Sequence, residues 1–373
     1  MSPEFAFPPP PANLDWNNIG IKIREVNGHV QCRYNVQTGR WSEPEVVKGT
    51  DLTISGLSPA LNYGMQAYEG MKAFRDPTGQ IRIFRPTEHA ARMRHSCEFV
   101  SIPSLPTDHF VRCVSLAVSI NAEFVPPHDT SAALYIRPLV FGSGPQINLL
   151  LPDEYTFCVF VLPVTSLLGT QAVDAVILEE FDRTAPMGTG SAKVGGNYAP
   201  VLRWSMQAKA QGYGTTLHLD SKTRSEIDEF SAAGFIGVKQ VGEEVTLVVP
   251  NSSSIIRSIT SDSCLELARS FGWTVEVRPV KYEELAEFSE VLAVGTAAVL
   301  VPIRSITRSS LGDKYVYAAN EEGNYICAMK LFKAIQDIQR GLVEDLFSWC
   351  APIQEPGKYL QTGEKSDVQQ QGV

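Results

Sequence analysis

In the first part of the chain, hydrophobic and polar positions alternate mostly with the period of strands. In "HVQCRYNVQTGRW" (29–41) two such runs flank Thr38-Gly39, a hairpin signal. "QIRIFRP" (80–86) alternates and stops at Pro86, which cannot donate to a ladder. "TEHAARMRHSCEFV" (87–100) and "TDHFVRCVSLAVSINAEF" (107–124) switch to helical spacing. In the second, Phe110, Val114, Ala117, Val118 and Asn121–Ala122 fall on one stripe. "AALYIRPLVFG" (132–142) and "YTFCVFVLPV" (155–164) are continuous apolar runs and predict buried strands.

Beyond the small, glycine-punctuated "TSLLGTQA" (165–172), strand and helix patterns alternate. "DAVILEE", "GTTLHLD", "FIGVKQ", "EVTLVVP", "TVEVRPV" and "EVLAVGTAAVLVPI" read as strands. "YAPVLRWSMQAKAQ", "SDSCLELARSFG" and "YICAMKLFKAIQDIQRG" read as helices, the last stopping at a glycine in the C-terminal position. The pattern predicts a smaller α+β domain over 12–164, a linker at 165–171 and a larger α/β domain over 172–355. Residues 1–11, rich in proline, and 356–373, ending in "GEKSDVQQQGV" without apolar anchors, read as loose tails.

Composition narrows the class. A chain of 373 residues, 44% hydrophobic and 20% charged, describes a globular protein too long for one ordinary core. Its net charge of −9 argues against the basic surface that nucleic acid or an anionic membrane requires. An anionic ligand must then be held by a few arginines and backbone amides. No apolar run is long enough to span a bilayer, and the arginine-free, proline-rich start resembles neither a secretory nor a mitochondrial leader. The expected location is the cytoplasm. Seven cysteines form no C-x-x-C pair and no Cys/His group with zinc spacing, so reduced thiols and no metal are expected.

The chemistry centres on "MGTGSAKVGGNYAP" (187–200), where Lys193 sits among glycines with Tyr198 five residues on. A solvated lysine has a pKa near ~10.4 and is a poor nucleophile. Confinement and neighbouring cations make lysines reactive, and glycines let another group approach the backbone. An isolated K-x-G-G is otherwise a flexible surface loop. Other stretches change the balance. "VPNSSSIIRSITSDSCLELA" (249–268) leads a strand through hydroxyls, Ser254, Ser258 and Thr260, into a helix, a cradle for an anion or simply a cap. "VGTAAVL" (294–300) is a small-residue turn with Thr296. "FRPTEHAARM" (84–93) supplies Arg85 and Arg92, either phosphate forks or surface ion-pair partners. Arg137 in "LYIRPLVF" interrupts an apolar strand, where a buried arginine needs a partner. "RSEIDEFSAAGF" (224–235) offers three acids, one of which could face a protonated pyridine nitrogen; as a bare pattern it also reads as a solvated turn.

Together with "LNYGMQAYEGMKAFR" (61–75) and "DIQRG…W" (337–349), these stretches resemble the branched-chain amino acid aminotransferases. The resemblance runs over about residues 16–350 and implies a two-domain fold type IV enzyme dependent on pyridoxal 5'-phosphate, its larger domain carrying a mixed, barrel-like sheet. By the same resemblance Lys193 is the Schiff-base lysine and the proton shuttle, and Tyr198 meets the cofactor's phenolic oxygen. Glu229 matches the acid at the ring nitrogen, with Glu226 as the alternative. Arg92, Ile259, Thr260 and Thr296 match the phosphate set. Tyr63, Tyr135 and Arg137 match the substrate pocket, and the Thr296 and Ala297 amides the carboxylate turn. The implied partners are amino acids, 2-oxo acids and a second copy in a homodimer.

The chain also departs from the family pattern. A polar residue and an asparagine usually follow the acid; here Ala232 and Gly234 stand in those places. The usual Pro-Gly before Ile-Thr is Arg257-Ser258. The expected activity is amino transfer between a hydrophobic L-amino acid and 2-oxoglutarate. The alternatives are a D-amino acid or (R)-amine transaminase, an aminodeoxychorismate lyase, or a non-catalytic cofactor-binding relative.

Overall fold

In a computed structural model, residues 5–165, 171–317, 319 and 325–360 are described. Their strands form two sheets of nine. The first is antiparallel throughout and runs Cys350–Pro352, Ile81–Phe84, Met71–Arg75, Ala132–Gly142, Glu154–Thr165, His29–Asn35, Arg40–Trp41. Glu45–Val47 and Gln66–Tyr68 pair alongside. The turn expected at Thr38-Gly39 joins two of these strands, with Gly39 at φ 65.

Pro138 lies inside the long strand Ala132–Gly142, where a missing N–H ought to break a ladder. It does not, because its neighbour is interrupted at the same level. Gln66–Tyr68 pairs with residues 139–141 and Met71–Ala73 with 134–136, leaving Glu69 and Gly70 between them. That interruption turns the fully buried Glu69 toward the helix Pro86–Phe99.

The second sheet is mixed, as alternating strands and helices predict. Its order is Ile227–Phe230, Thr215–Leu219, Val173–Ile177, Val299–Arg308, Glu290–Gly295, Gly234–Val241, Glu244–Pro250, Thr274–Arg278, with Asp313–Val316 paired to Val299–Arg308. Helices Ile259–Ser270 and Ile326–Gln339 cover it and bury Cys264, Ala268, Leu331 and Ile335 in a core shared with Phe230 and Phe235. Each leucine, isoleucine or phenylalanine so buried contributes about 1.5–3 kcal/mol.

Some element boundaries differ from the hydrophobic pattern. The stripe expected as one helix over 107–124 is helix Thr107–Ser119 followed by a 3₁₀ turn, Ala122–Phe124. The stripe's residues are buried all the same. The helix expected from Tyr198 begins at Leu202 after two 3₁₀ turns, the second of which carries Pro200. The acidic stretch near 226 is a fully buried strand, Ile227–Phe230. Of the expected linker, residues 166–170 lie outside the described residues. In the segments expected as tails, the Pro8 carbonyl accepts from Arg75 Nη2 at 2.9 Å, and Gly357–Leu360 is a short helix whose Tyr359 carbonyl accepts from Arg112. Among the described residues no helix is long and apolar enough to cross a membrane.

Candidate active site

The lysine loop is pinned from both sides. Lys193 N donates to Ser96 Oγ at 2.8 Å, from the helix Pro86–Phe99, and its carbonyl accepts from Tyr68 N at 3.1 Å, from the first sheet. Asn197 Nδ2 ties the loop internally by donating to the Thr189 and Ala192 carbonyls. The glycines serve different ends. A Cβ at position 190 would stand 2.2 Å from the Ser254 carbonyl oxygen, so this glycine admits the loop before helix Ile259–Ser270. At Gly195 a Cβ would meet the Gln66 amide at 2.0 Å, whereas at Gly196 nothing lies within 4 Å.

So held, Lys193 Nζ donates to Tyr198 Oη at 2.9 Å and lies 4.5 Å from the Tyr68 ring centroid. Burial alone would raise the Tyr198 phenol; the adjacent Lys193 and Arg183 cations outweigh it and bring the hydroxyl below its ordinary range. Tyr68 is shifted upward by burial and by Tyr198.

Glu229 projects from the buried strand Ile227–Phe230. Burial pushes its carboxyl up to about 7 despite an ion pair with Arg183. Ile256 N donates to it at 3.4 Å, and the Arg183 Nε is buried without a hydrogen-bond partner among the described residues. Glu226, the alternative acid, pairs with Lys281 at the surface.

Arg92 is oriented by Glu69: its Nε and Nη2 donate to the two carboxylate oxygens at 2.6 and 2.8 Å. His89 Nδ1 is 2.7 Å from the same carboxylate. Burial would raise Glu69, but Arg92 and His89 hold it well below the usual carboxylate range. Arg92 Nη1 reaches across to the Arg257 carbonyl at 2.9 Å, beside the start of helix Ile259–Ser270. Ser258 caps that helix, its Oγ accepting from Ser261 N at 3.1 Å.

The Thr296–Ala297 turn joins Glu290–Gly295 to Val299–Arg308. Lys72 Nζ donates to the Ala297 carbonyl at 2.8 Å, and Val299 sits at φ 65, a strained conformation for a β-branched residue.

These pieces surround one open pocket. It is lined by Arg92, Tyr135, Lys193, Tyr198, Glu229, Ile259, Thr260, Thr296 and Ala297 of the expected set, and also by Arg183, Ala232 and Gly234. Two expected residues do not line it. Tyr63 is 47% exposed and donates to the Ile147 carbonyl. Arg137, expected buried with a partner, is exposed: its guanidinium lies over the Tyr68 and Tyr135 rings at 4.8 and 5.3 Å. The interrupted neighbour strand opposite Arg137 leaves that side open.

Sequence reasoning missed Glu69, Ser96 and Arg183. Buried charge is their common property, or in Ser96 a buried hydroxyl, and neither leaves a spacing signature. The departures from the family pattern meet in space: a Cβ at Gly234 would stand 3.0 Å from Ser258 Cβ and 3.0 Å from Ser261 Oγ. Side-chain volume absent at 234 is present at 258.

The Amino-transferase class IV family model matches residues 66–306. Aminotransferase poxL of Penicillium oxalicum is 74% identical over 361 residues, covering 97% of this chain and 99% of that protein. The branched-chain amino acid aminotransferase gloG of Glarea lozoyensis is 49% identical over 354 residues, covering 94% of this chain and 99% of that one. Among solved structures, the branched-chain aminotransferase of the thermophilic archaeon Thermoproteus uzoniensis, with norvaline, shares the fold at TM-score 0.70 and 24% identity, over 87% of this chain and 100% of that one. A confined lysine, a buried carboxylate and an oriented arginine around one pocket are thus set on a chain that belongs to the class IV aminotransferases.

Proposed function

We propose that the protein is a pyridoxal 5'-phosphate-dependent aminotransferase that moves the amino group between a hydrophobic L-amino acid and 2-oxoglutarate. The observation that carries this reading is Lys193 Nζ, 2.9 Å from Tyr198 Oη in a pocket also lined by Glu229 and Arg92. The donors fit the cofactor. A carboxylate raised to about 7 by burial, with Arg183 as its ion-pair partner, suits a cationic ring nitrogen, and the Arg183 Nε, without a hydrogen-bond partner among the described residues, marks unspent donor capacity beside it. Arg92, the Ile259 and Thr260 amides at a helix start, and Thr296 suit a phosphate.

When bound, pyridoxal phosphate supplies a carbonyl for the amino group and a ring that withdraws electrons from the substrate Cα. Lys193 would hold the cofactor, and its Nζ would take the proton from the substrate Cα. Tyr198 orients that amine. Glu229 would hold the ring nitrogen protonated, and Arg92 would anchor the phosphate end. Thr296 and Ala297 receive the substrate carboxylate on a turn that Lys72 steadies.

The apolar wall favours a hydrophobic donor. Ala232, Ala233, Gly295 and Ala297 also face an adjoining cavity with Val173, Ala293, Ala298 and Val301, which leaves room for a large side chain. Arg137, beside Tyr135 at the pocket's edge, is the cation we assign to the distal carboxylate of 2-oxoglutarate. A cytoplasmic homodimer, with domains over 12–164 and 172–355, completes the reading.

The test is a panel of paired L- and D-amino donors with 2-oxoglutarate, read by loss of the enzyme's visible cofactor absorbance and by glutamate formed. Hydrophobic L-amino acids should react. Turnover of D-alanine alone, or cofactor binding with no half-reaction, contradicts the proposal.

A further inference from the structure

Away from the pocket, three side chains far apart in sequence converge between the first sheet and the helix packed on it. Cys32 lies on the strand His29–Asn35. His109 and Cys113 lie one helical turn apart, on one face of Thr107–Ser119. The Cys32 and Cys113 sulfurs are 3.4 Å apart, and both sulfurs and an imidazole nitrogen lie within 4.8 Å of one another. Tetrahedral zinc, with Zn–S about 2.3 Å and Zn–N about 2.0 Å, sets its ligand atoms about 3.5–3.8 Å apart. A small side-chain rotation brings the observed triangle to that size.

The environment suits an ion in other ways. Among the described residues His109 Nε2 is buried without a hydrogen-bond partner, an unfavourable state for a polar atom. Both cysteines are free and at most 1% exposed.

We propose that Cys32, His109 and Cys113 form a binding site for a soft, closed-shell divalent cation of the zinc class, with solvent oxygen in the fourth position. Half-buried His109 is the way in. On binding, the ion takes a lone pair from each sulfur and from the imidazole, the two thiol protons leave to solvent, and no electrons are transferred. The bound ion ties the strand to the helix and so stabilises the folded chain. The sequence carries no zinc spacing because 81 positions separate the two cysteines and only the fold brings them together.

The test uses the full chain as purified, kept reduced, with its seven thiols counted and metal removed by a chelator. Cadmium is titrated in while its thiolate charge-transfer band is followed, and zinc affinity is read by competition with a chromophoric chelator. The expected result is one cadmium per chain, displaced by zinc, with a melting temperature that rises with zinc concentration. The Cys32→Val, Cys113→Ala double variant, which keeps the site apolar and packed, should lose the band. His109→Asn, at a half-buried position, should weaken zinc by about tenfold or more. Absence of a stoichiometric band overturns the proposal, as does a band that survives in the double variant or disappears instead with Cys350→Ala. A Cys32–Cys113 disulfide in protein purified under metal-replete conditions would also overturn it.

Discussion

Glu69→Gln isolates the group that aims Arg92. The substitution keeps the volume and one acceptor oxygen but removes the charge. Arg92, with a side chain only 10% exposed, then loses its sole acidic partner among the described residues. Removing one member of a buried pair costs about 3–5 kcal/mol. The remaining amide oxygen puts the cofactor-free protein at the lower end, about 3 kcal/mol. A bound phosphate returns an anion to the same guanidinium, so the cofactor-loaded protein should lose only about 1 kcal/mol, the scale of one hydrogen bond. Urea unfolding of both forms of wild type and variant, at one free-cofactor concentration, measures the difference. The pH dependence checks the sign. Glu69 is held below its unfolded value, so its contribution is present above that value and is lost as pH falls through the folded one. The variant should lack this part of the acid destabilisation. Equal losses in the two forms, or none in either, refute the assignment of Arg92 to the phosphate.

Three further outcomes follow from local geometry. Burial, with Arg340 nearby, draws Lys72 down to about 8, so the unfolded chain binds more protons between that pH and the ordinary lysine value of 10.5. Stability should therefore rise with pH across this window by up to about 3 kcal/mol, and Lys72→Met should flatten the rise in denaturant melts. Gly190→Ala places a methyl against the Ser254 carbonyl and should destabilise by about 1–3 kcal/mol while lowering kcat; Gly196→Ala, in open space, should be near neutral in thermal melts. Gly234→Asn should destabilise alone by about 1–3 kcal/mol and far less beside Ser258→Gly, a coupling that a double-mutant cycle measures.

The hydrophobic period located most strands and helices because each element buries one face, and that demand is written locally. "VGTAAVL" is legible as a turn for the same reason, as is the helix beginning near Thr260. What stayed hidden depends on contacts between distant segments. Ile227–Phe230 reads as a charged turn because its acids, Asp228 and Glu229, are buried against Thr184 and Arg183 from another loop. Glu69 is unremarkable in "AYEGMK" until the interrupted strand turns it onto Arg92. Arg137 looks buried from its apolar neighbours, yet the same interruption exposes it. Lys193 itself was the most legible residue, since its glycines carry a steric requirement that Gly190 fulfils against Ser254.

The central claim is tested most directly by fixing the cofactor where it sits. Borohydride reduction of the purified, pyridoxal phosphate-loaded protein, followed by digestion and mass spectrometry, should place the phosphopyridoxyl group on Lys193, in the peptide that also contains Tyr198. Lys193→Ala should take up no label and show no amino transfer. Label on another lysine, or full activity in Lys193→Ala, would contradict the account.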